Sequence, residues 1–443
     1  MPRHCDRRTV VKGAGAIGVG SLVAGCIGDG DSNGDGGDGD DQDSAAEASQ
    51  GLDGPDVLNI IGYPESGIQI FRDFYSTFDN GTDIIVPDGL ADDALPSEVG
   101  NPMDNVVGTA PSSAGPNEDT FEELYEDEYG ESAGVFNSHT FDAVATCVLA
   151  NVAAGENDGE AIRGQMRRIA NPNGDEYGPG ELQEAAEAVA DGEDINYQGA
   201  SSSVDYDENG DPADAAYDLW DFSEGAVTPY DMIEFEGKDP GGEMADESPG
   251  GTDRDQVSVG ILLPETGDLG ELGSLMIRAG ELAAAQFEGA FSIDLQVEDT
   301  ATDEQTALSN GEALIDAGYP AIVGAASSGN SVPLVGVTSD AGIVQCSPAS
   351  TALSLTNIED DGYFFRTAPS DILQGQVMAE VCAEELGAET AATLYVNNDY
   401  GQQLSDEFVR AFEEDQGGEA LNTVSFEQTQ GSYTSELESA LSG

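Results

Sequence analysis

From residue 257 onward, short apolar runs alternate with longer segments whose apolar residues recur at helical spacing. The pattern predicts a strand over 257–263 and a helix over 273–287, with Leu275, Met276, Ala279, Leu282 and Ala283 on one face. It continues with strand 293–297, helix 302–317, strand 321–323, helix 332–341 and strand 343–345. Helix 372–386, strand 393–396 and helix 402–414 complete the block. Strands apolar on both faces, interleaved with amphipathic helices, imply parallel sheets covered by helices on each side. An earlier block starts the same way, with strand 56–61, helix 67–77 and strand 83–86, and ends in short strands over 203–206 and 216–221. A polar Gly/Pro linker, 237–255, divides block 56–236 from block 256–443.

Charge sets the second constraint. The 443 residues carry 88 acidic against 13 basic side chains, a formal charge of −75, and only Lys12 and Lys238 are lysines. Such a field repels phosphate backbones and excludes unaided nucleic-acid binding. Acidity of this degree commonly marks disorder, yet 39% hydrophobic residues, with 15 Phe and 14 Tyr, supply real cores. An acidic, lysine-poor globular chain suits molar salt, where the screening length falls to about 3 Å. The composition is halophilic.

Four of the bases, Arg3, Arg7, Arg8 and Lys12, precede a mildly apolar run ending at Gly25. That order is a secretory signal over 1–25. DRRTVVKG carries the paired arginines of twin-arginine export, and LVAGC resembles a lipobox, which implies lipidation at Cys26. Residues 26–55 are a Gly/Asp tether. DGDSNGD (29–35) and DYDENGD (205–211) each imitate the start of a calcium loop without its bidentate Glu; the second reads better as a turn. Cys147, Cys346 and Cys382 stand singly in apolar surroundings, with neither disulfide nor metal spacing. No nucleophile elbow, HExxH, Walker loop or dinucleotide fingerprint is present. Two histidines leave little for acid–base catalysis. No cofactor is implied, and no motif points to an enzyme.

VSVGILLPETGDLGELG, IVGAASSGNSVPLVGVTSDAGIVQCSPAST, FFRTAPSD and TLYVNNDYGQQLSDEF in the second block resemble the N-terminal half of type I periplasmic solute-binding proteins. The resemblance is to the branched-chain amino acid (Leu/Ile/Val) class, in a haloarchaeal lipoprotein form. GPDVLNIIGYPESG, GTAPS and SVDYDENGD in the first block resemble the C-terminal half. The order is swapped: in that family SYTSELESALSG would run into GLDGPDVLNIIGYP. The resemblance therefore implies a circular permutation, with two doubly wound parallel-sheet lobes joined by a hinge. Lobe one would comprise 256–371 with 110–203, and lobe two 372–443 with 55–109 and 204–236. Two half-modules swapped in a dimer are the rival to a monomer. The implied function is delivery of an amino acid to the permease of an ABC importer, outside the cell membrane and anchored at Cys26. A sensory domain of the same fold is the alternative, although that class usually continues into a transmembrane segment and this chain stops at Gly443. An amide binder outside transport, or a relative that has lost its ligand, are the others.

GAASSG places Ser327 and Ser328 at a helix start, where hydroxyls and N–H groups suit a carboxylate without any base. Spacing alone leaves Ser328 equally a plain cap; the resemblance assigns it the carboxylate. CSPAST reads as an ordinary turn, and the resemblance brings Ala349 and Thr351 to the ligand's ammonium and carboxylate. Tyr63, Asp88 and Tyr400 each follow an apolar strand. The tyrosines are as readily core as ligand contacts by periodicity, and Asp88 stands where the family carries an acid, more often the longer Glu. Leu272 and Phe141 replace aromatic residues common in the family, and His139 lies close to Phe141 in sequence.

Overall fold

The computed structural model describes residues 54–78, 81–170, 174–235, 240–249 and 256–442. The expected signal, the Cys26 anchor and the tether through residue 53 lie outside them. Numbered in chain order, the strands of the first block are β1 (Val57–Ile61), β2 (Asp83–Val86), β3 (Val106–Pro111), β4 (Asp175–Tyr177), β5 (Ile195–Tyr197), β6 (Ala215–Asp221) and β7 (Thr228–Phe235). Those of the second are β8 (Gln256–Leu263), β9 (Ser292–Asp299), β10 (Ala321–Gly324), β11 (Val344–Ser347), β12 (Phe364–Arg366), β13 (Thr390–Val396) and β14 (Glu419–Phe426).

They build two main sheets. The five-stranded sheet, β12-β11-β10-β8-β9, is wholly parallel. Both its faces are dry, as the continuous apolar run of β8 requires: Ile261 and Leu263 join one core while Leu262 packs with Leu314, Ile322 and Leu334 on the other. Helices Glu304–Ala317 and Ser328–Asp340 cover the second face. The first is covered by Asn137–Ala154, from the other block, together with Gly159–Ala170 and Gly270–Ala285. All 18 residues of Asn137–Ala154 are buried, polar side chains such as Asp142 and Asn151 included.

The seven-stranded sheet, β14-β13-β1-β2-β3-β6-β7, draws on both ends of the chain. β1 lies between β13 and β2, parallel to both, with Ile60 opposite Leu394. β6 and β7 add an antiparallel edge, and β4 and β5 form a separate pair.

The predicted elements are found with shifted ends in most cases. The helix expected from 332 starts at Ser328, with Pro333 inside it. The helices at Asp371–Glu380 and Asp399–Arg410 each run on into a widened π turn, Val381–Glu385 and Ala411–Asp415. One expectation fails. Residues 203–206 are not a strand, because Val204 takes a left-handed φ of 56° and Tyr206 makes only a single bridge, to Pro212. The 207–211 segment is a turn: the Asp207 carboxylate accepts the amides of Asn209 and Asp211 at 2.8 and 3.2 Å.

The chain passes between the lobes after β3, between β5 and β6, and from β12 into Asp371–Glu380. One buried ion pair ties the last two passages. Asp211 receives Arg366 Nε at 2.6 Å and Nη2 at 2.8 Å, and the guanidinium is fully buried. Residues 240–249 of the linker lie along the helices of the five-stranded lobe. There Ala245 N donates to Gly164 O at 2.7 Å, Gln165 Nε2 to Glu247 O at 2.9 Å and Arg168 Nη1 to Asp246 O at 3.0 Å.

Candidate functional site

The carboxyl ends of parallel strands from both lobes face one another, the usual ligand position in open α/β sheets. After β1, Pro64 at the first helical position holds Tyr63 extended, at φ −123° and ψ 161°, and so aims its ring off the sheet. After β2, Asp88–Leu90 make a single tight turn. Gly89 within it admits no side chain, since a Cβ would stand 2.4 Å from Gly62 O and 3.0 Å from Tyr400 Oη. After β13, Asn398 caps the helix Asp399–Arg410 by accepting Gly401 N at 2.9 Å, and its Nδ2 donates to Tyr63 Oη at 3.0 Å. Tyr400 then stacks on Tyr63, with ring centroids 5.6 Å apart and planes 12° from parallel.

The opposite wall is built from small residues and hydroxyls. Ser327 precedes the helix Ser328–Asp340 without a side-chain cap bond, and its Oγ meets Tyr63 Oη across the cleft at 3.0 Å. Ser328 Oγ accepts Ala352 N at 3.2 Å. Behind them Ser347 Oγ donates to Ala325 O at 2.7 Å, and Ser350 Oγ contacts Ser331 Oγ at 2.8 Å. These bonds hold the turn after β10 against the turn after β11. Arg366 steadies the second turn, its Nη1 donating to Ser350 O and Ala352 O at 3.1 Å each. A second bridge between the lobes runs from Ser354 N to Gln403 Oε1, at 2.7 Å.

Between the walls lies a narrow cavity of about 20 Å³, room for about one water in this closed arrangement, so a larger solute requires the walls to part. Tyr63, Asp88, Ser327, Ser328, Ala349 and Tyr400 all line it. Thr351 is not among its lining residues; it is buried behind the wall, its hydroxyl without a hydrogen-bond partner. Leu272 lines the cavity. Phe141 is core, packed on Phe121 at 5.3 Å. His139 borders a different cavity, near the interlobe passages, and burial pushes its imidazole down to about 3.

Phe136, Leu269, Gly89 and Ala326 complete the lining and were not expected. Gly89 was within reach of sequence reasoning, as a turn glycine directly after a strand. Phe136 was not. It enters through a left-handed φ of 63° at the start of the buried helix Asn137–Ala154, a conformation its residue type disfavours.

The cavity is nearly uncharged. Burial pushes the Asp88 carboxyl up to about 6, partly opposed by the Gln374 amide and the Tyr400 hydroxyl. Its Oδ1 has no hydrogen-bond partner. Burial likewise raises the Tyr63 and Tyr400 phenols, which stay neutral donors or acceptors. One wall thus offers a buried acceptor in want of a donor. The other offers hydroxyls and a helix N-terminus, suited to an anion.

Residues 256–442 match the family model described as Periplasmic binding protein. The leucine-, isoleucine-, valine-, threonine-, and alanine-binding protein of Pseudomonas aeruginosa is 27% identical over 173 residues, covering 36% of this chain and 44% of that protein. Leu/Ile/Val-binding protein homolog 3 of Brucella melitensis is 26% identical over 162 residues, covering 35% and 43%. A leucine-binding protein from Thermotoga maritima, of known crystal structure, is 24% identical with a TM-score of 0.38, over 41% of this chain and 52% of that one. The chain thus spans less than half the length of these curated relatives. They are binding proteins rather than enzymes. Among the described residues no helix is long and apolar enough to cross a membrane.

Proposed function

We propose that this protein is an extracytoplasmic solute-binding protein that holds a free amino acid, of branched-chain or similar type, between its lobes and presents it to an ABC importer. The observation that carries the reading is the opposed equipment of the cleft. The ligand's ammonium would meet the unpartnered Asp88 Oδ1, and its carboxylate the hydroxyls and N–H groups at Ser327 and Ser328. A buried unpaired charge costs several kcal/mol, so a zwitterion that satisfies both walls is favoured over a simple acid or amine. Leu272, Leu269 and Phe136 would take an apolar side chain. Closure follows from differential contact: a solute touching both walls stabilises the closed form.

The lobes are assigned as 256–371 with 110–203 and 372–443 with 55–109 and 204–236, in a chain that is circularly permuted. Two findings support this. β1 is inserted between β13 and β2, and the family model matches only the second block. The linker then joins the two ancestral ends within a monomer. Export through the twin-arginine signal and lipidation at Cys26 would hold the protein on the outer face of the membrane.

Calorimetric titration in molar NaCl against an amino-acid panel tests the site. One class of amino acid should bind, and Ser328→Ala should weaken it about tenfold, the loss of one hydrogen bond to a charged group. No binding across the panel, or undiminished affinity in the variant, overturns the assignment. A chain rejoined in the ancestral order should remain a folded monomer that binds the same solute.

A further inference from the structure

Under the cleft, where the chain passes from β12 into the helix Asp371–Glu380, a group of oxygen atoms lacks donors. Asp88 Oδ1, both carboxylate oxygens of Asp371, Thr351 Oγ1 and Gln374 Oε1 are all buried without a hydrogen-bond partner. The four residues are neighbours. The Asp371 backbone amide donates to Thr351 O at 2.9 Å, Gln374 lies beside Asp88, and Asp371 feels the charge of Asp88. Each is at least nine-tenths buried, and Asp371 is completely so.

Two other buried acids are satisfied, whereas Asp268 also keeps one oxygen without a partner. Asp142 accepts from Tyr197 Oη at 2.6 Å, Ser201 Oγ at 2.6 Å, Ser201 N at 2.7 Å and Ala200 N at 3.2 Å. Asp211 has Arg366. Arg366 offers Asp371 no donor, because all five of its N–H groups are committed: to Asp211, the carbonyls of Ser350 and Ala352, and Thr356 Oγ1. The Thr351 hydroxyl is the one donor left beside the carboxylate. Gln374 Nε2 is turned to Thr109 O and Oγ1, at 3.2 Å each. Tyr217 Oη donates to Ser370 O at 2.9 Å, and Tyr400 Oη lies toward Gly89 and Asp88.

We propose that Asp88, Thr351, Asp371 and Gln374 bind a monovalent metal cation of sodium or potassium size directly beneath the solute cleft. All-oxygen ligation by carboxylate, hydroxyl and amide groups is the chemistry of a hard cation. Charge selects the valence: Asp88, which lines the cavity, is offset by the solute ammonium, leaving the single negative charge of Asp371 to balance. That count rests on the amino-acid reading, but the oxygen cluster does not, so the two fall separately. The cation would also fix Thr351 and Asp88 on either side of the passage between the lobes, making solute affinity depend on cation identity.

The test is thermal unfolding of the intact protein without amino acid, in NaCl, KCl and choline chloride at one ionic strength. Choline screens the surface acids equally but cannot enter the cluster. The wild type should melt about 2 °C or more higher in sodium or potassium than in choline. Asp371→Asn should erase at least half of that increment while melting no lower than wild type in choline. Thr351→Val serves the same purpose if that variant does not fold. Equal melting of the wild type in all three salts, or an undiminished increment in the variants, overturns the site. A variant that changes only the pH dependence of unfolding would show a proton shared by Asp88 and Asp371 instead, and also overturns it. Cation-specific melting without amino-acid binding would leave this site standing and remove the solute assignment.

Discussion

Asp211 and Asp371 are both buried carboxylates at passages between the lobes, and the fold treats them in opposite ways. Asp211 is met by a bidentate guanidinium whose remaining donors fasten the wall of the cleft. Asp371 has both oxygens unpartnered, and burial together with the nearby Asp88 raises its carboxyl well above the ordinary range. The first is a closed account of charge that gives the cleft its shape. The second, with Asp88, is an open one, and it is there that the proposed cation would sit. A protein with so few bases places Arg366 where its loss would disorganise the cavity wall, and leaves Asp88 and Asp371 without one.

The contrast is broken most severely at the closed pair. Asp211→Ala strands a buried guanidinium and should cost about 3–5 kcal/mol of unfolding free energy, read by chemical denaturation at constant high salt. A loss below about 1 kcal/mol would mean that water reaches Arg366 and the pair is not structural.

At the open pair the same kind of change should act on binding instead. Asp88→Asn should weaken amino-acid affinity by about 30-fold or more, as when one partner of a buried charge pair is lost, and without solute should forfeit only the stability that sodium or potassium adds over choline. Calorimetry and thermal melts on one preparation separate the two effects. The pH dependence sharpens this. Because the folded Asp88 carboxyl is raised to about 6 from an ordinary 3.8, the folded state holds its proton longer than the unfolded chain. Its contribution to stability is therefore fully present below about pH 4 and is lost as pH rises through about 6. Solute affinity should run the other way, rising through the same window as the carboxylate forms. Asp88→Asn should flatten both trends.

The smallest effect is expected on the linker. Arg168→Ala removes bonds to the carbonyls of Ala245 and Asp246 and the ion pair with Asp194, yet should cost about 1 kcal/mol or less in equilibrium unfolding. A larger loss would make 240–249 part of the folded core.

Much of the architecture was legible. The apolar run of β8 announces a strand buried on both faces, and Gln256–Leu263 is one. Tyr63, Asp88, Ser327, Ser328, Ala349 and Tyr400 follow apolar strands, where α/β sheets bind, but it was the resemblance to a known family, not the local pattern, that singled them out as ligand contacts. What stayed hidden depends on distance along the chain. Arg366 and Asp211 are 155 residues apart, and no local pattern distinguishes that aspartate from the other acids. Thr351 occupies the expected turn but points behind the cavity wall. Gln374 and Asp371 read as an ordinary helix start, and Phe136 depends on an unusual backbone angle.

Periodicity and composition, being local, decide which segments become strands and helices. They also decide that a pocket in so base-poor a chain would have to meet any carboxylate with hydroxyls and amides. Tertiary structure alone decides that β1 is inserted between β13 and β2, and that Asp88, Asp142, Asp211 and Asp371 lose their water while most acids keep theirs. Desolvation is a property of the whole packed assembly: a carboxylate acquires its pKa and its need for a partner only when distant segments close over it.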